Sequence, residues 1–397
     1  MFLSKRVQKI KPSITVTMTV RAQQMKADGI DVIGFGAGEP DFDTPEHIKQ
    51  AAVRSLKEGK TKYTAVGGVN ELKDAITAKL KRDNGLDYSR EEILVSVGGK
   101  HSLYNACQAL LNPGDEVLIP APYWVSYPDQ ALLNDAVPVF MPTTEKNGFR
   151  ITAKELRKAI TPKTKVFILN SPSNPTGAAY SREELEAIAD VLVEKNLFCF
   201  ADEIYEKIVY DGFQQVSLAS FNEKIKNLTL TVNGASKVYS MTGWRMGYAA
   251  GPKELIKAMT TIQGQVTTNI ATATQWACVE ALNGPQDFLQ GWIQEFKKRR
   301  DFILDRLRSM PGISCFKPQG AFYVFPNISA TFGKKGGGKI IKNSVDLCEY
   351  LLEKALIAVV PGSGFGLEGF IRISYATSMS NIEKGMDRLE KGLKVLS

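Results

Sequence analysis

Residues 165–201 read KVFILNSPSNPTGAAYSREELEAIADVLVEKNLFCFA, and the succession of patterns in this stretch decides the fold class. Val166-Phe167-Ile168-Leu169 is apolar along its whole length, which suits a strand covered on both faces. Asn170–Gly177 interrupts that run with turn-forming residues. Ser181 followed by Glu184 makes a capping box, so a helix is expected over Ser181–Lys195. Leu197–Ala201 then reads as a second apolar strand. The alternation extends outward in both directions, with β-rich runs at Ile93–Val97, Glu116–Ile119, Val137–Met141, Leu228–Val232 and Arg245–Ala249. It predicts an α/β fold, a largely parallel sheet flanked by helices.

Past about residue 282 the pattern changes. A long helical stretch, roughly Gln286–Ser309, leads to a turn at Pro311-Gly312. A hairpin-like segment, Ile313–Phe325, follows with Pro318-Gln319-Gly320 at its bend. The last helix places Ile382, Met386, Leu389, Leu393 and Leu396 on one face. These elements read as a smaller α+β unit, onto which the N-terminal 45 residues are expected to pack. At 397 residues the chain is too long for one ordinary core. The expected division is a large domain at 46–284 and a small one made of 1–45 and 285–397, with a ligand cleft between them.

Composition excludes several function classes. The 50 Lys+Arg against 42 Asp+Glu give a net charge of +8, but the excess is spread, with no run of five or six like charges to form a nucleic-acid arm. Lys297-Lys298-Arg299-Arg300 sits inside an amphipathic helical pattern and is expected to be a solvated helix face. A positive field favours anionic cofactors and carboxylate substrates. Five separated cysteines without a CxxC pair read as buried thiols in a reducing compartment. His47 and His101 are the only histidines, so no metal site is expected. The N-terminus turns polar too early for a signal peptide, and no apolar run is long enough to cross a membrane. A cytoplasmic protein without nucleic-acid or membrane partners is expected. Two phosphate-loop look-alikes are discounted. Gly364–Gly369 spells GxGxxG but precedes a strand, and Gly333–Ile340 lacks the final Ser/Thr of a P-loop and reads as a mobile surface loop.

The residues able to do chemistry cluster at strand ends. Val95–Val97 runs into Gly98-Gly99-Lys100 and a helix, which is either an anion site at a helix N-terminus or an ordinary turn. Leu197–Ala201 runs into Asp202-Glu203-Ile204-Tyr205; a carboxylate there faces a ligand or caps a helix. Leu228–Val232 leads to Ser236-Lys237, with Arg245 eight positions on. A lysine of lowered pKa at that place forms a Schiff base with a carbonyl, while Ser236 and Arg245 offer donors to phosphate; the alternative is an exposed loop lysine. Asn170–Gly177 offers amides to a phenolate or only turn chemistry, and Trp124 within Pro122–Pro128 either stacks on a flat ring or packs in the core.

Taken together and in order, these stretches resemble the class I, fold-type-I pyridoxal-phosphate aminotransferases over essentially the whole chain. The matching segments are Gly36–Phe42, Lys60–Tyr63, Asn170–Gly177, Asp202–Tyr205, Ser236–Lys237 and Gly243–Gly247. Within that family the chain is most similar to bacterial aspartate aminotransferases, some of which also accept prephenate. The resemblance implies a large domain with a mostly parallel seven-stranded sheet, a smaller α+β domain, and pyridoxal 5'-phosphate as cofactor. It implies catalytic roles for Lys237, which bonds the cofactor and shuttles the proton, and for Asp202 and Tyr205. Asp202 pairs with the pyridine nitrogen; Tyr205 and Asn174 bond the phenolic oxygen; Trp124 stacks on the ring. Gly99, Lys100, Ser236 and Arg245 surround the phosphate, and Tyr63 reaches it from the second subunit of a homodimer. Gly38, Trp124, Asn174 and Arg372 hold the substrate, with Arg372 on its α-carboxylate. Lys100 takes the distal carboxylate, and Lys11 matches a position linked to prephenate use.

The activity so implied is a ping-pong transfer of the amino group of aspartate to 2-oxoglutarate, with prephenate and glutamate or aspartate as a second pair. The alternatives are an aminotransferase for aromatic or other monocarboxylic amino acids, a C–S lyase or amine synthase on the same fold, and a non-catalytic regulator built on it. The regulator is disfavoured because only about 35 residues precede the first matching motif and show no helix-turn-helix pattern.

Overall fold

The computed structural model describes residues 2–10 and 14–397. Lys11, one of the residues singled out above, lies outside the described residues. The seven apolar runs assemble into one sheet: β1 (Ile93–Val97), β2 (Glu116–Ala121), β3 (Val137–Pro142), β4 (Thr164–Asn170), β5 (Phe198–Asp202), β6 (Thr229–Gly234) and β7 (Met246–Ala250), in the order β1-β7-β6-β5-β4-β2-β3. Only β7 is antiparallel to its neighbours, β1 and β6. β4 shows why such runs carry no polar alternation. Val166 and Ile168 pack into the core on one side of the sheet with Leu103 and Ile119. Phe167 and Leu169 pack on the other side with Leu185 and Ile188. Each face therefore buries alternate residues of one strand, and both faces are covered by helices. The helix Arg182–Lys195 begins as expected: the Ser181 amide donates to Glu184 Oε2 at 2.8 Å, and the Glu184 amide to Ser181 Oγ at 3.2 Å. Asn196, in the left-handed region at φ 49°, ends it.

A separate core gathers the C-terminal elements. The strands β8 (Tyr323–Val324), β9 (Val360–Pro361) and β10 (Ile371–Ser374) form an antiparallel sheet in the order β9-β10-β8. Ile33–Gly34 pairs in parallel with Ile357–Ala358. Met18, Ala22, Val32, Ile33 and Phe35 share this core with Phe296, Ile303, Leu351, Ile382 and Met386. Gly385 is required there, since a Cβ would lie 2.3 Å from the Phe35 ring. No described helix is long and apolar enough to cross a membrane.

Four expectations need correction. The basic run 297–300 is not a solvated face: successive residues turn by about 100° on a helix, so Arg299 and Arg300 point inward and are buried. Arg300 donates to Asp211 at 2.8 Å, Asp301 at 2.6 Å and the Pro318 carbonyl at 2.9 Å. Arg299 donates to Asp41 at 2.6 Å and Glu295 at 3.0 Å. The segment Ile313–Phe325 is not a regular hairpin; β8 pairs with β10, and the Gln319 and Gly320 amides donate across to the Gly177 carbonyl, both at 2.9 Å. The tract 333–340 closes a two-residue hairpin, Lys335–Gly336 against Lys339–Ile340, because Gly337 and Gly338 supply two positive-φ residues in succession. Of the five free cysteines four are buried, and Cys315 is only half-buried.

Candidate active site

A cleft of about 500 Å3 opens at the carboxyl ends of β4, β5 and β6, where open α/β sheets bind ligands. Each of those strands delivers polar groups to it as the chain leaves the sheet. β4 ends at Asn170, whose side-chain Nδ2 donates to the Asp202 carbonyl at 2.9 Å and whose Oδ1 accepts from the Asn174 backbone amide at 2.9 Å. β5 ends at Asp202, buried, with Oδ2 accepting from the Tyr127 hydroxyl at 2.7 Å and Oδ1 from the Ile204 amide at 3.3 Å. Burial outweighs these donors and raises the carboxyl to about 6. The turn after β6 carries Ser236 and Lys237. The Lys237 ammonium donates to the Gly38 carbonyl. Burial, helped by the Arg372 and Arg245 guanidinium groups, lowers it to about 8 against the pull of Glu39 and Asp202.

The opposite wall comes from the C-terminal unit. Arg372 on β10 is buried, with Nη1 donating to Asn174 Oδ1 at 2.9 Å and Nη2 to the Gly36 carbonyl at 2.7 Å. Its guanidinium lies over the rings of Tyr323 and Phe365, at 4.6 Å and 5.0 Å, and its buried Nε has no partner among the described residues. Burial lowers its pKa. A guanidinium held only by neutral acceptors is ready for a bidentate carboxylate. Tyr205 shares a 2.9 Å hydrogen bond with Tyr323, whose hydroxyl would lie 3.0 Å from a Cβ at Gly38.

At the third corner the Gly98-Gly99 turn opens the helix Gly99–Leu110, with Gly98 at φ 79° and no side chain capping the free first-turn amides. The close approach is backbone on backbone. A Cβ at Gly247 would lie 2.1 Å from the Gly99 nitrogen, and one at Gly98 would lie 2.5 Å from Arg245 Nη2. Bare amides, a helix N-terminus and a guanidinium together form an anion cradle. Lys100 Nζ lies 4.9 Å from the Trp124 ring centroid, and its pKa is lowered by burial and by Arg245.

One cleft therefore collects Gly38, Gly99, Lys100, Trp124, Asn174, Asp202, Tyr205, Ser236, Lys237, Arg245 and Arg372. Tyr63 is not among its lining residues and is 89% exposed. Sequence reasoning passed over Tyr323, and it named Asn170 and Tyr127 only as members of longer stretches. Tyr127 lies in the first turn of the helix Ser126–Leu133, three residues after Trp124, and the two rings meet edge to face at 5.2 Å. Tyr323 carries no local signal, because it reaches the site only through the pairing of β8 with β10, which sets it opposite Ser374.

The donor set fits a phosphorylated aromatic aldehyde with a basic ring nitrogen. The cradle suits its phosphate, the buried Asp202 carboxylate has no cation at hydrogen-bond distance among the described residues, and Lys237 offers an amine of lowered pKa in the same cleft. The family described as "Aminotransferase class I and II" matches residues 30–389. An aspartate aminotransferase from Bacillus sp. (strain YM-2) is 49% identical over 392 residues, covering 99% of each chain. A probable aspartate/prephenate aminotransferase from Rickettsia bellii is 52% identical and covers 98% of each. The crystal structure of the aspartate aminotransferase from Rhizobium meliloti superposes with a TM-score of 0.97 at 48% identity, covering 100% of both chains.

Proposed function

The chain belongs to the class I and II aminotransferases, and from that premise we propose that it moves the amino group of aspartate to 2-oxoglutarate in two ping-pong half-reactions, with pyridoxal 5'-phosphate as cofactor. The names of its relatives support aspartate and prephenate, and glutamate or aspartate with prephenate is the second pair proposed. The observation that carries the reading is the placement of Lys237: a buried amine, lowered to about 8, in one cleft with the Asp202 carboxylate and the Arg372 guanidinium.

When bound, the cofactor supplies an electron sink for the carbon from which the substrate proton leaves. The chain's own residues do the rest. Lys237 would hold the cofactor through its amine, and that amine, free of the cofactor, would serve as the base that moves the proton leaving the substrate Cα. Its lowered pKa keeps a fraction of the amine unprotonated near neutrality. Asp202, its geometry fixed by Tyr127, holds the ring nitrogen protonated. Tyr205 and Asn174 donate to the ring's phenolic oxygen, and Trp124 covers the ring face. Ser236, Arg245 and the backbone amides at Gly99 and Lys100 would hold the phosphate. Arg372 clamps the α-carboxylate beside Gly38, and Lys100, at the Trp124 ring, takes the distal carboxylate of a dicarboxylic substrate.

A core that gathers residues 18–35 with the C-terminal elements, joined by Tyr205, Ile208 and Tyr210, supports a division into a large domain at 46–284 and a small domain of 1–45 and 285–397. The exposure of Tyr63 supports a homodimer in which that hydroxyl reaches the partner's phosphate site. The protein works in the cytoplasm, where its free cysteines stay reduced. The visible spectrum of the purified protein tests the reading. A yellow chromophore that aspartate converts to the amine form, lost in Lys237→Ala, is expected. A chromophore unmoved by aspartate but converted by aromatic or alanine donors would reassign the substrate. A protein unable to take up the cofactor would overturn the proposal.

A further inference from the structure

Tyr63 is exposed, yet the loop that carries it is hydrogen-bonded on both sides to the interior of its own subunit. We infer that Gln275 and Gln263 are positioning residues that preset Tyr63 for the neighbouring subunit's phosphate site. The inference rests on the role proposed for Tyr63 above. Both glutamines are fully buried, and both spend every hydrogen-bonding group of their amides. Gln275, on the helix Thr272–Asn283, accepts from the Val69 amide at 2.8 Å and donates to Thr64 Oγ1 at 3.0 Å and the Ile270 carbonyl at 3.1 Å. Gln263, on the helix Lys253–Val266, donates to the carbonyls of Val66 at 2.9 Å and Val95 at 2.8 Å and accepts from Asn105 at 3.1 Å.

The geometry explains why side-chain amides are needed. β1 is an edge strand of the central sheet, and the segment after Tyr63 runs along its open edge. The Val95 amide donates to the Gly67 carbonyl at 3.1 Å, while the Val95 carbonyl is taken by Gln263 instead of by a neighbouring strand. Gly68, at φ 102°, lets the loop lie this close, since a Cβ there would meet Val95 Cγ2 at 2.8 Å. On the other side of Tyr63, Thr272 Oγ1 donates to the Lys62 carbonyl at 2.8 Å, and Lys60 Nζ sits 3.5 Å over the Trp276 ring. An exposed ring on a mobile loop would lose conformational freedom on docking; a ring on a clamped loop has lost it already.

The test is a double-mutant cycle on the cofactor-loaded protein, reading the rate at which pyridoxal phosphate is released. Tyr63→Phe and Gln275→Met are each expected to speed release about tenfold, the effect of one lost hydrogen bond. The double variant should be no faster than either single one, because both act through one hydroxyl. Thermal midpoints and the oligomeric state are measured alongside, and Gln263→Met serves in the same cycle if Gln275→Met does not yield folded protein. Additive effects would overturn the inference, as would Gln275→Met holding the cofactor normally while Tyr63→Phe sheds it. If Tyr63→Phe itself changes nothing, the role of Tyr63 is what fails, and the inference falls with it.

Discussion

Arg300 and Arg372 are both buried arginines, yet only one has an anion beside it. Arg300, on the helix Phe288–Arg308, meets Asp211 and Asp301, stacks on Tyr210 at 4.7 Å and caps the Pro318 carbonyl. Its neighbour Arg299 is likewise matched by Asp41 and Glu295. In the cleft the opposite holds. Among the described residues Arg372 has only neutral acceptors, and Asp202 answers to a hydroxyl and an amide. Lys237 donates to a carbonyl. A buried charge without its counter-charge is costly, so a fold retains it where a ligand supplies the partner. For the two arginines, paired burial marks architecture and unpaired burial marks the site.

That contrast is open to attack by mutation. Removing the unpaired amine should have the largest effect: Lys237→Ala is expected to cut the transamination rate by about 10^4-fold or more, as loss of a proton-transferring base does, with the thermal midpoint unchanged. Single-turnover kinetics and calorimetry on one preparation check both halves. Arg372→Leu should lower kcat/KM for every amino acid by about 10^2- to 10^3-fold through loss of the carboxylate clamp. The cofactor-free protein should be no less stable, and a clear drop in its midpoint would show that Arg372 is structural after all.

Asp202 sharpens the comparison through pH. Its carboxyl is raised from 3.8 to about 6 by burial, so between those values the folded state binds more protons than the unfolded one. Stability from this group is full below about pH 4 and is lost as pH rises through 6. Cofactor-free Asp202→Asn should therefore match the parent near pH 4 and exceed it by about 3 kcal/mol at pH 8, from about 1.4 kcal/mol per pKa unit. Denaturant midpoints across that range would contradict this if the gap were flat. The smallest effect belongs to the paired arginine. Arg300→Met should cost about 2 kcal/mol, less than a fully buried broken pair because Asp211 and Asp301 keep contact with water. Steady-state kinetics should stay those of the parent.

Lys297–Arg300 also shows where reading along the chain stops. Four basic residues inside an amphipathic pattern look like a wet surface, and nothing local announces that Asp211 waits 89 positions away for Arg300. The same distance hides Tyr127, which meets Asp202 across 75 positions, and Gln263 and Gln275, which meet the Tyr63 loop across about two hundred. The strands were legible because burial on both faces writes itself into consecutive residues. Ile93–Val97 was located to the residue, and the runs at 116, 137, 165, 197, 228 and 245 to within one or two.

By itself the sequence determined the α/β class, the strand ends where chemistry gathers, and the motif order that places Lys237, Asp202 and Arg372 on different segments of one family's site. Those features are local: a capping box, an apolar run or a glycine pair is read from neighbours. Only the tertiary structure decided which buried charges find partners, which hydroxyl steadies Asp202, and what holds the loop beside Tyr63. Each of those depends on groups brought together by packing, and the free energy of a buried polar group is set by what surrounds it in space rather than by what precedes it in the chain.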